Sequence, residues 1–116
     1  MSRQPRITTI IPTHERPLLL KRAVLSVLHQ SYRHVIVQIL DNASGEDTEL
    51  VARELACLDP RVHYHRHGRD IGGLNNILYG IEHVTTEYFS ILPDDDLLLP
   101  GFLENCLELH ERDDTR

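Results

Sequence analysis

An α/β fold, with a parallel sheet of about four strands flanked by helices on both faces, is what this 116-residue sequence predicts. Three observations carry that prediction. Short β-rich runs alternate with stretches of helical periodicity along the whole chain. The run Val35–Leu40 is almost continuously apolar, as in a strand covered on both faces. Polar clusters fall where the first, second and fourth strands should end, the edge at which such sheets bind ligands.

Ile7–Ile11 reads as a short strand ending at Pro12, and Pro17 follows where a first helical turn accepts a residue without an N–H. Leu20, Val24, Val27 and Leu28 then recur at helical spacing. The second strand, Val35–Leu40, ends at Asp41. Ser44 with Asp47 three residues on resembles a capping box, and Val51, Leu55 and Leu58 supply the stripe of a second helix. A third strand is predicted over Arg61–Arg66. Gly72-Gly73 leads into Leu74, Ile77, Leu78 and Ile81, a third helical face. Tyr88–Leu92 is the fourth strand, and Phe102, Leu103, Cys106 and Leu107 mark a fourth helix before a frayed tail over Arg112–Arg116. With no linker, repeat or low-complexity stretch, residues 1–116 are expected to form one domain with right-handed crossovers.

Composition excludes some functions. A hydrophobic content of 41% and a charged content of 26% are ordinary for a soluble globular chain. The net charge is −6, with Lys21 the one lysine, so nucleic acid is not an expected partner. No run has the length of a membrane span and no secretory pattern opens the chain, so a cytoplasmic protein is expected. Cys57 and Cys106 stand at unpaired spacing and are expected to be reduced and buried.

The stretch Ser90-Ile91-Leu92-Pro93-Asp94-Asp95-Asp96 runs an apolar strand into three consecutive carboxylates. Adjacent like charges repel, so such a cluster is suited to a hard cation, Mg2+ or Mn2+, that keeps positions open for phosphates. The bland alternative is a solvated acidic turn that caps the next helix. With Pro12-Thr13-His14-Glu15 and Asp41-Asn42 at the same sheet edge, a nucleotide-and-metal site is expected. Asp41 suits a base N–H or a ribose hydroxyl, or else its own turn. No Walker loop or dinucleotide fingerprint occurs, so a diphosphate here would rely on a cation for neutralisation.

Four stretches together resemble family 2 glycosyltransferases of the GT-A fold, over about Ile7–Leu107. They are Ile10-Ile11-Pro12-Thr13-His14-Glu15-Arg16, Ser26-Val27-Leu28-His29-Gln30-Ser31-Tyr32, Asp41-Asn42-Ala43-Ser44, and Asp94-Asp95-Asp96 with Pro100-Gly101. The resemblance implies a Rossmann-like nucleotide-sugar-binding half and inverting transfer from a nucleotide-diphosphate sugar, usually a UDP-sugar, with Mg2+ or Mn2+. Pro12 and Thr13 would lie along the base, and His14 holds a position where the family often has Tyr; Glu15 belongs to the same nucleotide-binding run. Asp41 would contact the base edge. Asp95 matches the metal-binding Asp, Asp94 would face the ribose or the metal's outer ligands, and Asp96 would support the metal or the donor sugar. Pro93 stands where the family motif often begins with Asp. Leu74-Asn75-Asn76 stands where many members have Ala-Arg-Asn, which makes Arg69 and Asn75 candidates for the nucleotide or its phosphates.

In such enzymes the general base follows the acidic motif, so it is expected beyond Arg116 and the isolated chain is expected to bind donor without completing catalysis. The implied acceptor is a glycan or a lipid-linked glycan, which would place the protein at a membrane periphery. An exposed sheet edge would favour self-association. Two other readings come from the residues. His63, His65 and His67 alternate on one strand face and so form a weak zinc candidate. The non-catalytic alternatives are a receiver-like module, whose acidic group after the first strand is replaced here by Pro12-Thr13-His14, and a degenerate nucleotide-binding homologue of the same family, which that replacement does not weaken.

Overall fold

The computed structural model describes residues 4–114. In chain order the elements are β1 (Ile7–Thr13), α1 (Pro17–Leu28), β2 (Val35–Asp41), α2 (Glu46–Leu58), β3 (Val62–Arg66), α3 (Gly73–Glu82), β4 (Tyr88–Ile91) and α4 (Phe102–Asp114). The strands form one parallel sheet in the order β3-β2-β1-β4. From β1 the chain steps outward to β2 and β3, then crosses back to lay β4 on the other side of β1. With one crossover hand, that reversal sends α3 to the face opposite α1 and α2.

The two faces differ in content. Ile7, Ile11, Val35, Val37, Ile39 and Val62 pack with Leu20, Ala23, Val24 and Val27 of α1 and with Ala52 and Leu55 of α2. Leu92 and Leu103 of α4 join the same core. Side chains alternate along a strand, so Ile10 and Leu40 face the other way, where α3 meets them. A Cβ added at Gly80 would stand 2.6 Å from Leu40 Cδ1 and 3.0 Å from Ile10 Cγ2. The missing side chain is therefore what lets α3 approach the sheet so closely.

That approach corrects the predicted α3 stripe. Leu74 is 72% exposed and Leu78 43%, while Asn76 and Gly80 are the buried residues of the helix. Close contact at Gly80 turns the face carrying residues 76 and 80 inward, and the leucines rotate outward. In α2 the buried stripe is Thr48, Ala52 and Leu55; Leu58, at the helix end, is exposed. Both cysteines are exposed, against expectation: Cys57 shares the outer side of α2 with Leu50 and Leu58, and Cys106 lines an open cavity beside Leu103 and Leu107 of α4.

Element ends also moved: β3 begins at Val62 and β4 ends at Ile91, each one residue short of the prediction. β1 continues through Pro12 to Thr13, because Pro12 faces the side where β4 has already ended at the Ile10–Ile91 pair, so its absent N–H breaks no ladder bond. The predicted capping box does not form. Gly45 is the N-cap, and the Ser44 hydroxyl accepts instead from the Glu15 N–H at 2.7 Å. The predicted tail is helical through Asp114, with Arg112 bonding Glu108 at 3.3 Å; residues 115 and 116 lie outside those described.

Candidate functional site

The carboxyl ends of β1, β2 and β4 meet where the strand order reverses, the position at which open α/β sheets bind ligands. A cavity of about 230 Å³ opens there, lined by Pro12, Thr13, His14, Arg16, Asn42, Gly73, Asn76 and Asp94. From β1, the Thr13 hydroxyl donates to Asp94 Oδ2 at 2.7 Å. Asp94 is 6% exposed, and its Oδ1 accepts from Arg16 Nη1 at 3.3 Å. Asp95 is exposed, and its Oδ2 lies 3.9 Å from the same Arg16 Nη1. Asp96 is exposed too, its N–H donating to the Pro93 carbonyl to close the turn.

Helix α1 and the turn after it fix the loop that carries these carboxylates. Gln30 Nε2 donates to the Leu99 carbonyl at 2.8 Å, and Gln30 Oε1 accepts the Leu103 N–H at 3.1 Å. The Ser26 hydroxyl accepts the Leu98 N–H, the Ser31 hydroxyl donates to Glu104, and Arg22 donates to the Asp95 carbonyl. The polar residues of the Ser26–Tyr32 motif thus hold the acidic loop from a distance.

At the β2 end, Asp41 is wholly buried. Its Oδ1 accepts the Ser44 N–H at 3.0 Å and its Oδ2 accepts the Tyr64 hydroxyl at 2.6 Å. Burial, together with that bond to Asp41, pushes the Tyr64 hydroxyl well above its usual range, so it remains a donor. Asn42 ties the β3–α3 loop in: its amide donates to Asp70 at 2.8 Å and its Oδ1 accepts the Ile71 N–H at 2.9 Å. The Gly72 N–H, with the Asn42 amide, holds the Asp70 carboxyl below the usual carboxylate range.

Two histidines have their tautomers set by partners of fixed role. His14 Nδ1 lies 2.6 Å from the Asn42 carbonyl, which can only accept, so Nδ1 carries the proton. Asn76 Nδ2 donates to the Leu40 carbonyl at 2.9 Å, which leaves its Oδ1 to accept from His67 Nε2 at 2.8 Å. Beyond this, His65 stacks on Tyr79 with ring centres 4.8 Å apart, and Tyr79 stacks on His83 at 4.0 Å. Burial first, and then His67 and His83, lower the His65 pKa. This stack lies on the α3 face beside a separate cavity of about 250 Å³. The zinc candidate fails: among the described residues no three His, Cys, Asp or Glu side chains are placed to hold a metal ion.

The same finding bears on Asp94-Asp95-Asp96, which do not converge as a ready-made cage. Asp94 and Asp95 nevertheless offer hard oxygens to one positive group, now the Arg16 guanidinium. That donor set fits Mg2+ or Mn2+ bound through one or two carboxylates, with phosphate and water completing the shell. The electrostatics also suit an anion. Helices α1 and α3 both begin beside the cavity without an acidic residue in their first turn, whereas α2 carries Glu46, Asp47 and Glu49 there.

Of the expected nucleotide contacts, Pro12, Thr13, His14 and Asp94 line the cavity. Glu15, Asp41, Arg69 and Asn75 do not: Asp41 is wholly buried, both oxygens taken by Ser44 and Tyr64. Glu15, at a positive φ of 55°, accepts the Gly45 N–H with Oε1; Asn75 donates back to the Ile71 carbonyl; Arg69 is exposed in the loop after β3. Asn42, expected at this edge together with Asp41, lines the cavity, and Arg16, Gly73 and Asn76 line it without having been given a ligand role. Among these three, Asn76 alone carried a sequence signal, as one of the two adjacent asparagines in the apolar pattern of α3.

The family description "Glycosyl transferase family 2" matches residues 8–116, and the chain belongs to that family. It is 30% identical over 109 residues to the GalNAc(5)-diNAcBac-PP-undecaprenol beta-1,3-glucosyltransferase of Campylobacter jejuni, covering 90% of this chain and 34% of that protein. It is 28% identical to the chondroitin synthase of Escherichia coli, over 97% of this chain and 16% of the synthase. The chain therefore spans about a third or less of these relatives. In fold it superposes on the mannosyltransferase PcManGT of Pyrobaculum calidifontis, solved with GDP-Man and Mn2+, at a TM-score of 0.82 and 23% identity, over 92% of this chain and 32% of that one. Staphylococcus aureus TarS gives the same TM-score at 14% identity, over 92% of this chain. The architecture is that of GT-A glycosyltransferases.

Proposed function

We propose that this chain is the nucleotide-sugar-binding half of a glycosyltransferase that transfers a sugar, with inversion, from a UDP-sugar. The observation that carries the reading is the meeting of Thr13, Asp94 and Arg16 in a cavity at the strand reversal of a family 2 chain. Pro12, Thr13 and His14 flank the base, and Asn42 lines the wall in place of Asp41, which is wholly buried with both oxygens engaged. Asp95 holds Mg2+ or Mn2+, with Asp94, which shares Arg16 with it, as a direct or outer ligand and Asp96 in support; the cation neutralises charge on the diphosphate. Asn76 takes the place first given to Asn75, because it is the member of the pair that reaches the cavity. GDP is the rival nucleotide, given the donor bound to PcManGT.

Among the described residues Asp94 is the one carboxylate that lines the cavity, and it is buried and bonded to Thr13 and Arg16, which supports a general base other than these residues and leaves the isolated chain without acceptor-dependent turnover. A lipid-linked glycan acceptor, handled at the cytoplasmic membrane surface, accords with the PP-undecaprenol in the Campylobacter relative's name. No helix of the described residues is long and apolar enough to cross a membrane. The β4 edge, with Phe89 and Ile91 exposed, is where self-association would begin.

Calorimetry with UDP and GDP, each with and without Mn2+, tests the reading. Metal-dependent binding that is lost in Asp95→Ala is the expected result. Binding by neither nucleotide to a folded chain would overturn it, and metal-independent binding would remove Asp95 and Asp96 from the assignment.

A further inference from the structure

Arg16 occupies a position that helix chemistry does not favour. It is the N-cap of α1, where Ser, Thr, Asp and Asn are preferred, and its charge stands at the positive end of the helix macrodipole. Its side chain makes no capping bond, and no acidic residue in the first turn offsets it. The guanidinium instead reaches the loop after the neighbouring strand β4, 3.3 Å from Asp94 Oδ1 and 3.9 Å from Asp95 Oδ2. It reaches both through one nitrogen, Nη1, and the side chain is 51% exposed, so it is tethered rather than packed in place. Arg22, the neighbouring cation, bonds the backbone carbonyl of Asp95 and not the carboxylates.

We propose that Arg16 is the resident counter-ion of the Asp94–Asp95 pair, and that it yields this pair to a divalent cation and turns to the donor's diphosphate. The inference rests on the donor-site reading above. Two carboxylates that hold a single guanidinium edge, one of them solvent-exposed, favour a compact dication with water and phosphate in its shell. A planar guanidinium matches phosphate oxygens in a forked pair of hydrogen bonds. A phosphate beside the α1 N-terminus would also relieve the conflict between Arg16 and the helix dipole, since that end of the helix favours anions. Arg16 thus keeps the acidic pair ordered and neutralised before the ligands arrive, then serves the opposite charge.

The test is a pair of binding measurements on the 116-residue chain, comparing wild type, Arg16→Gln and Arg16→Lys. Mn2+ alone is titrated by electron paramagnetic resonance; then UDP and UMP (or GDP and GMP, if GDP binds better) are titrated by calorimetry in saturating Mn2+. Arg16→Gln is expected to bind free Mn2+ about two- to fivefold more tightly, the change carried by an exposed ion pair. It is expected to bind the diphosphate about tenfold more weakly, the change carried by a charge-assisted bond, with the monophosphate little affected. Arg16→Lys keeps the wild-type Mn2+ affinity and loses part of the diphosphate affinity. If Arg16→Gln weakens Mn2+ and diphosphate together, Arg16 merely orders the acidic loop; if it changes neither, it has no role at the site. Either result overturns the inference while wild-type binding leaves the donor site standing. A wild type that binds neither Mn2+ nor nucleotide overturns both.

Discussion

The β2 and β4 strands end in carboxylates at the same edge of the same sheet, yet the two ends are built for opposite purposes. Asp41 is wholly buried and spends both oxygens on neutral donors, the Ser44 N–H and the Tyr64 hydroxyl. Asp94 and Asp95 share one half-exposed guanidinium, and Asp95 is open to water. A buried carboxylate with neutral donors on both oxygens is locked by the cost of orphaning those donors. Arg16, half exposed and bound through one nitrogen, is held by little on its own side and exchanges readily, while Thr13 keeps the buried Asp94 in place. The β2 end therefore shapes the floor of the cavity, and the β4 end is the part that can change partners.

Mutations can break this contrast. Asp41→Ala removes the acceptor of two donors and is expected to cost about 3 kcal/mol in urea-monitored stability. Asp95→Ala should shift the urea midpoint hardly at all, as for other exposed sites. Comparable losses for the two variants would erase the distinction. Thr13→Val removes the hydroxyl that donates to Asp94 at 2.7 Å and leaves that buried carboxylate short of a donor. A smaller cost of about 1–2 kcal/mol is expected, together with weaker nucleotide binding. A neutral result would mean that Arg16 alone keeps Asp94 in place.

The smallest expected effect concerns pH and sets a third region against the two carboxylate ends. Because burial lowers the His65 pKa from its ordinary 6.5, the folded state binds fewer protons than the unfolded one. Its contribution to stability is complete above pH 6.5 and is lost as pH falls through the folded value. His63, His67 and His83, with Tyr79, are the groups around it. His65→Phe keeps a ring against Tyr79 and should flatten the decline of the urea midpoint between about pH 7 and 5. An unchanged slope would move the acid sensitivity to other groups.

The order and type of elements were legible because apolar spacing reports burial directly: Leu20, Val24, Val27 and Leu28 are all buried, as their helical period requires. The facing of α3 was not. Leu74 and Leu78 satisfy the same period, but a glycine and an amide decide which side meets the sheet, and periodicity gives neither any weight. The capping box failed for a related reason, since Ser44 has a competing partner in the Glu15 N–H, 29 residues away in sequence. At the site, motif spacing brought Thr13 and Asp94 to one cavity and left out Arg16, whose role exists only through a contact across 78 residues. A charged residue before a helix otherwise reads as solvated surface.

The attachment of the acidic loop to α1 carries a consequence for how the molecule comes into being. Gln30 reaches Leu99 across 69 residues and Leu103 across 73, and Thr13 reaches Asp94 across 81. Contacts of such separation close late, after loop entropy has been spent on the sheet. The β1-α1-β2-α2 portion is thus able to collapse around its own apolar face while the cation-holding loop is still unplaced. Any ligand that grips both Thr13 and the acidic loop then acts as a clasp on the last step of assembly, raising the melting temperature by mass action.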